Sequence, residues 1–150
     1  MEQLVRKVKR DYPHLEFVMG AGHCWSPRLG QIFYAGKNTP ASLAGLLHEL
    51  GHARLEHKRY ESDLELLQKE VAAWDEARQL ANEYDVAIDE DHIQDCLDTY
   101  RDWFYRRSTC PKCRVAGLQQ PNREYFCLNC AQTWRVSPAR FCRPYRLSVT

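Results

Sequence analysis

The segment that most restricts the fold of this chain is His48-Glu49-Leu50-Gly51-His52, which matches the pattern H-E-x-x-H. On an α-helix, side chains four positions apart lie on one face, so both imidazoles can bind one ion while the intervening carboxylate lies beside it. The motif sits within a run of leucines at helical spacing, where unpaired histidine and glutamate side chains would be costly to bury. A metal site is therefore favoured over an exposed helix face that merely holds two histidines.

A catalytic zinc site needs a third protein ligand and one open coordination position. We predict that Glu70 is this ligand, because its helical neighbours are apolar and a carboxylate among them needs a compensating cation. His57 is the alternative, but it lies well around the helix from His52, and a histidine near a helix C-terminus commonly interacts with the helix dipole. The other acids of the region are expected to be solvated: Glu61, Asp63, Glu65, Asp75 and Glu76.

The run LLHELGHARLEH, followed by KEVAAWDEA, resembles the ImmA/IrrE family of metallopeptidases. That family joins H-E-x-x-H to a later helix reading E-x-x-A-(N/D/W)-x-x-A, and the similarity covers roughly residues 15–85. The resemblance implies a zincin-like fold of the gluzincin type and an edge strand, Gln31–Ala35, along which an extended peptide can pair. It also implies that His48, His52 and Glu70 are zinc ligands and that Glu49 is the general base.

The chain departs from this family in its C-terminal part, which is rich in cysteine. SprT-like proteins also join H-E-x-x-H to a C-terminal zinc ribbon, but their third ligand is a histidine. No histidine of this chain suits that role well. These proteins are therefore the second resemblance rather than the first.

Four of the seven cysteines form two C-x-x-C pairs, Cys110 with Cys113 and Cys127 with Cys130, separated by 13 residues. This spacing is typical of a zinc ribbon, in which each pair forms a tight turn around a structural zinc ion. Two disulfides or a redox pair are the alternatives, but neither suits two matched pairs in a reducing compartment. The remaining cysteines are expected to be small buried hydrophobic residues: Cys24, Cys96 and Cys142.

Charge is distributed unevenly along the chain. Residues 1–105 carry 12 Lys/Arg and 19 Asp/Glu, whereas residues 106–150 carry nine Lys/Arg and a single acid, Glu124. Arginines alternate with aromatic residues in this basic segment, which suits contacts with phosphates and bases of a nucleic acid. Docking on the acidic part of the chain or on a protein partner is the alternative. The sequence has neither an apolar stretch of membrane-spanning length nor a secretory signal, which predicts a cytoplasmic protein without membrane association.

The pattern of apolar residues predicts an α+β fold. Helices are expected over residues 2–11, from Pro40 to about His57, over 62–84 with Leu64 and Val71 on the apolar stripe, and over 89–105. A β-hairpin is expected from residues 16–25 and 31–35, and short strands at 125–126 and 133–136. We predict a zincin-like domain over residues 1–105 and a basic zinc-ribbon module over residues 106–150.

These features together predict a zinc-dependent peptidase with one catalytic and one structural zinc ion. A water molecule activated by zinc would lose its proton to Glu49 and attack a peptide bond of a protein substrate. By the family resemblance, that substrate is a transcriptional regulator or a similar protein. Tyr60 and His57 are candidates for a second catalytic electrophile, but no spacing rule selects either residue. The alternative is an adaptor for nucleic acid or protein in which the H-E-x-x-H site is inactive or purely structural.

Overall fold

The computed structural model describes residues 1–137 and the backbone of residues 146–149. Within these residues the chain has four α-helices and two small sheets, which confirms the α+β class. The helices are α1 (Glu2–Asp11), α2 (Pro40–Arg54), α3 (Asp63–Tyr84) and α4 (Glu90–Ser108). The strands are β1 (Glu16–Gly20), β2 (Cys24–Ser26), β3 (Gln31–Ala35), β4 (Leu118–Gln120), β5 (Glu124–Phe126), β6 (Thr133–Val136) and β7 (Arg146–Val149).

The chain divides into two compact units. The first unit comprises Met1–Arg59 and Gln68–Asp95, and the second comprises Tyr60–Leu67 and Cys96–Thr150. Both α3 and α4 contribute residues to each unit, because the division falls within these helices. The boundary between residues 105 and 106 that was expected from the cysteine pattern stays a prediction.

The sheet of the first unit has the strand order β1-β3-β2. The hairpin is formed by β2 and β3, which pair antiparallel, while β1 pairs parallel to β3 from Glu16 opposite Gln31 to Gly20 opposite Ala35. Two expectations are therefore wrong. Residues 16–25 form two strands rather than one, since the extended conformation is interrupted at Ala21-Gly22. Gln31–Ala35 is the central strand of the sheet rather than an edge strand.

Helix α2 begins where the sequence indicates. The side chain of Thr39 accepts a hydrogen bond from the Ser42 backbone N–H, and Pro40 occupies the first turn, where its missing N–H costs nothing. The helix ends at Arg54 rather than near His57, and Glu56 adopts a left-handed conformation with φ 52°. The helix therefore ends two residues after the second motif histidine.

The second unit contains a four-stranded sheet of order β4-β5-β6-β7. Its core consists of Cys110, Tyr125, Cys127, Trp134 and Val136, all buried. The indole of Trp134 stacks on Tyr125 with ring centroids 5.5 Å apart, and its Nε1 donates to the Arg107 carbonyl at 2.9 Å. A second apolar cluster is formed by Leu66, Tyr100 and Trp103.

Asp63 is buried, contrary to the expectation that it is solvated. Its carboxylate accepts hydrogen bonds from Arg107 Nε at 2.5 Å and Nη2 at 3.2 Å, and from the Tyr125 hydroxyl at 2.6 Å. Burial and the neighbouring carboxylate raise the pKa of Tyr125, so its hydroxyl stays protonated and donates. The partners lie far along the chain from Asp63, and local sequence therefore gives no indication of the network.

None of the helices in the described part of the chain is both long and apolar enough to cross a membrane.

Candidate metal centres

Three side chains of the first unit converge on one point. His48 and His52 lie one turn apart on α2, and Glu70 extends from α3. His48 Nε2 lies 3.1 Å from His52 Nε2 and 3.2 Å from Glu70 Oε2, and His52 Nε2 lies 3.6 Å from the same oxygen. The structure therefore brings together the two motif histidines and the glutamate predicted as the third ligand.

The spacing and burial of these atoms suit a metal ion. Ligand atoms about 2.0–2.1 Å from a tetrahedral zinc ion lie roughly 3.3–3.4 Å apart, close to the separations seen here. Glu70 Oε2 is buried and makes no well-formed hydrogen bond within the described residues, which is costly unless a cation neutralises it. Burial would raise the pKa of Glu70, but the two imidazoles outweigh it and hold that pKa well below its usual value. The carboxylate is therefore ionised and ready to bind a cation.

Close packing of α2 against α3 sets the position of Glu70. A Cβ atom added to Gly51 would lie 2.6 Å from the backbone carbonyl oxygen of Ala73, nearer than carbon and oxygen atoms approach. Ala73 and Ala77 are fully buried on α3. The glycine inside the motif and the alanines after Glu70 therefore have a shared role, because small residues allow the two helices to approach until the three ligands meet.

Glu49 is held beside the metal ligands by the sheet. Its Oε2 accepts a hydrogen bond of 2.6 Å from the backbone N–H of Trp25 on β2. Burial raises the pKa of Glu49, although His48 and His52 oppose the shift. A carboxylate with a raised pKa is a stronger base than one in water.

His57 contacts the metal site from behind His52. Its Nδ1 lies 2.8 Å from His52 Nδ1. If His52 binds a metal through Nε2, its Nδ1 carries the proton and donates to the lone pair on His57 Nδ1. Burial and the neighbouring His52 lower the pKa of His57 to about 4, which keeps it neutral and able to accept. The Trp25 indole holds this segment by donating to the His57 carbonyl at 2.9 Å.

Replacing His57 by alanine is expected to weaken metal binding at the histidine–glutamate site by about 10- to 100-fold, since second-shell partners of metal-bound histidines have effects of this size. Cobalt(II) titration followed by absorption spectroscopy can measure this affinity. The two candidate sites can be told apart, because only the cysteine site gives thiolate charge-transfer bands. His14→Ala, which replaces an exposed histidine, is the matched control. Equal affinities for His57→Ala and the control would contradict the second-shell role.

His48 lacks such a hydrogen-bonded partner. Its Nδ1 is buried without a hydrogen bond among the described residues, and its ring stacks on Trp74 with centroids 4.2 Å apart. Aromatic packing thus restrains the imidazole on this side. Trp74 occupies the variable N/D/W position of the motif quoted above, so the structure accounts for a tryptophan there.

His23 is a neighbour of the site that its sequence position does not reveal. Ser42 Oγ donates to the Ala35 carbonyl at 3.3 Å and must therefore accept from His23 Nε2, which lies 3.1 Å away. His23 Nδ1 is then a buried lone pair without a partner in residues 1–137. Burial and the nearby His48 lower the pKa of His23, which favours this neutral form.

The two cysteine pairs form turns with the same hydrogen bonds. Cys110 N donates to Val115 O and Cys127 N donates to Gln132 O, both at 2.9 Å. The residue after each second cysteine, Arg114 or Ala131, has a positive φ and donates its N–H back to the first cysteine's carbonyl. Two turns of equal geometry therefore present four sulfur atoms to one another.

The sulfur atoms are close enough to share an ion. Cys110 Sγ lies 3.6 Å from Cys130 Sγ, and Cys113 Sγ lies 3.4 Å from Cys127 Sγ, whereas tetrahedral zinc thiolates lie about 3.8 Å apart. Hydrogen bonds from Asn129 and from the Val115 N–H lower the pKa of Cys113 to about 6. The environment of Cys113 thus favours thiolate, the form that binds metals, whereas burial and the neighbouring sulfur atoms raise the pKa of Cys130 to about 12.

Not every sequence-based expectation about the site residues agrees with the structure. Cys24 is exposed and Cys96 is half-buried, so neither is the fully buried residue expected, and Cys142 lies outside the described residues. His57 Nδ1 contacts the candidate ligand His52, and a role of His57 or Tyr60 as a second electrophile stays a prediction.

The structure thus contains two groups of side chains that could each hold a metal ion: His48, His52 and Glu70, and Cys110, Cys113, Cys127 and Cys130. Comparisons with protein-family models, with curated proteins and with solved structures give no match for this chain.

Proposed function

We propose that this protein is a zinc-dependent peptidase. The supporting observation is the convergence of His48 Nε2, His52 Nε2 and Glu70 Oε2 within 3.6 Å of one another, with the half-buried side chain of Glu49 in the intervening motif position. Two imidazoles and one carboxylate form the ligand set of many catalytic zinc sites, which leave one position open. The two matched cysteine turns fit a structural zinc ribbon, whose four thiolates leave no position open.

In the proposed reaction, Glu49 removes the proton from a water molecule that attacks the scissile carbonyl, and then delivers that proton to the leaving amide nitrogen. A bound zinc ion would supply Lewis acidity, lowering the pKa of its water to about 7 and polarising the carbonyl. The hydrogen bond from Trp25 fixes one oxygen of Glu49. The other has no hydrogen-bond partner within the described residues and is left for the proton transfer.

The substrate in this proposal is an extended segment of a protein, and β2 rather than β3 is the strand that would align it. Strand β2 is an edge of the sheet and runs antiparallel to β3. Its Trp25 N–H points away from β3 and donates to Glu49, so this edge of the sheet lies beside the motif helix. An added strand along this edge suits the zincin-like fold that we propose for the first unit. A transcriptional regulator as the substrate remains a prediction from the family resemblance.

Replacing Glu49 by glutamine is expected to lower peptide-bond hydrolysis by about 10²- to 10⁴-fold without loss of metal, because the amide keeps the shape of the carboxylate but accepts no proton. Cleavage can be measured by mass spectrometry on a library of proteome-derived peptides incubated with the zinc-loaded protein. Metal content per chain is measured in parallel.

Glu56→Gln is the matched control, because Glu56 is an exposed glutamate of the same segment and its neutralisation should leave cleavage unchanged. Equal cleavage by wild type and Glu49→Gln, with both metals present, would contradict the proposed mechanism. Loss of zinc in Glu49→Gln would show instead that Glu49 serves the metal site itself.

A further inference from the structure

A polar groove of about 620 Å³ opens on the second unit beside the start of α3. None of the four paired cysteines lines it, and none of the proposed peptidase residues does. Its volume falls within the range of sites for small ligands, roughly 300–1,000 Å³. The groove is therefore a separate candidate binding site, and its chemistry follows from the side chains around it.

The positive charge in the groove comes from two exposed arginines. Arg107 also lines it but is buried and neutralised by Asp63, to which it donates two hydrogen bonds. Arg123 has no ion-pair partner among residues 1–137. Arg135 donates to Glu124 at 2.5 Å, yet its side chain is 56% exposed and keeps other N–H groups free to donate. Planar guanidinium groups of this kind bind phosphate oxygens well.

The backbone presents Arg123 to the groove in an uncommon conformation. Asn122 and Arg123 are consecutive residues with φ of 62° and 61°, in the turn between β4 and β5. Non-glycine residues seldom adopt this region, and such backbone often marks ligand-binding segments. Both residues line the groove.

An aromatic ring stands in the same groove. Tyr60 is 44% exposed and lines it together with the arginines. An exposed ring beside exposed guanidinium groups is the arrangement by which proteins bind single strands, since bases stack on the ring while phosphates meet the cations. An acidic peptide would use the arginines but would leave the ring unused.

We propose that this groove binds single-stranded nucleic acid, with phosphates on Arg123 and Arg135 and a base stacked on Tyr60. The surrounding segment favours this ligand, because residues 106–150 carry nine Lys/Arg against one acid. Two acidic residues line the groove: Asp63 is neutralised by its ion pair with Arg107, and Glu61 is the one that opposes an anionic ligand. The site is independent of the proposed peptidase activity and can be tested without it.

The test is fluorescence anisotropy with the full, zinc-loaded chain and a labelled 12-nucleotide DNA strand of mixed sequence at 20–200 mM salt. Tyr60→Leu is expected to weaken binding about tenfold, while Tyr60→Phe retains it, because the stacking ring is kept. Arg123→Gln is expected to weaken binding and to reduce the slope of log K against log salt by about 0.7, the value for one lost phosphate contact. The same measurement with an RNA strand of equal sequence shows whether the groove prefers deoxyribose or ribose.

Two further variants separate this site from general charge effects. Arg106→Gln removes the same charge from an exposed residue outside both the groove and the cysteine turns, and its effect should stay below about twofold. Glu61→Gln should tighten binding of the strand, because it removes a repulsive charge. All substituted side chains are exposed, and thermal melting checks that each variant is folded.

Three results would overturn the proposal. These are no binding at 20 mM salt, equal losses for Arg123→Gln and Arg106→Gln, or unchanged binding by Tyr60→Leu. A polyglutamate peptide that binds as tightly as the DNA strand would assign the groove to an acidic protein segment instead.

Discussion

Replacing Cys127 by serine, or removing the ion from the four-cysteine group with a strong chelator, is expected to unfold the residues around the two cysteine turns. Cys110 and Cys127 are fully buried, and among the described side chains they share a core with three other buried residues, Tyr125, Trp134 and Val136. Without an ion, the close sulfur atoms would repel one another as thiolates, or they would take up protons and become thiols. Structural zinc contributes about 10–16 kcal/mol of apparent folding free energy in small zinc peptides at neutral pH.

Tryptophan fluorescence and proton NMR can follow this loss, because the buried Trp134 ring stacks on Tyr125 and would become solvated. Cys24→Ser is the matched control, since Cys24 is an exposed cysteine outside the group and should leave the spectrum unchanged. A native-like spectrum for metal-free Cys127→Ser would show that the ion is not needed for this core.

Replacing Gly51 by alanine is expected to destabilise the first unit by about 1–3 kcal/mol, the usual cost of overpacking. Alanine is by itself the better helix former, by roughly 1 kcal/mol. A net loss would therefore come from packing, because the new methyl group would lie 2.6 Å from the Ala73 carbonyl oxygen and push α3 away. Since Glu70 lies one turn before Ala73, metal affinity should fall together with stability.

Urea unfolding and zinc competition titrations measure the two effects. Gly22→Ala is the control, because a Cβ atom there meets no atom within 4 Å. If Gly51→Ala were as stable as wild type and bound zinc equally, the close approach of α2 and α3 would not be what positions Glu70.

The parts of the structure that could be predicted from sequence are those encoded by short-range patterns. The bounds of α1 and β6, the capped start of α2 and the spacing of the ligands all follow from helical periodicity, capping residues or fixed motif offsets. Glu70 can be predicted as the third metal ligand because a carboxylate among apolar helical neighbours needs a compensating cation.

Other features depend on contacts that no local pattern reports. The apolar stripe expected on α3 included Leu64 and Val71, but both are exposed, since the side of a helix that is buried depends on what packs against it. The parallel pairing of β1 with β3, and with it the identity of the edge strand, also joins separated segments. His23 and His57 lie near the candidate metal site because of the paths of the loop and the turn in which they stand, and local sequence does not report these paths.

The matched cysteine turns have a consequence for the order in which an ion is captured. Every hydrogen bond within a turn joins residues at most five positions apart, so each pair of sulfur donors can form with little loop-closure entropy. The two turns lie further apart along the chain, since Cys113 and Cys127 differ by 14 in residue number. Metal uptake should therefore proceed through an intermediate in which one cysteine pair binds the ion. The rate at which the four-cysteine site is completed should then depend on how quickly the other pair comes into contact with that ion.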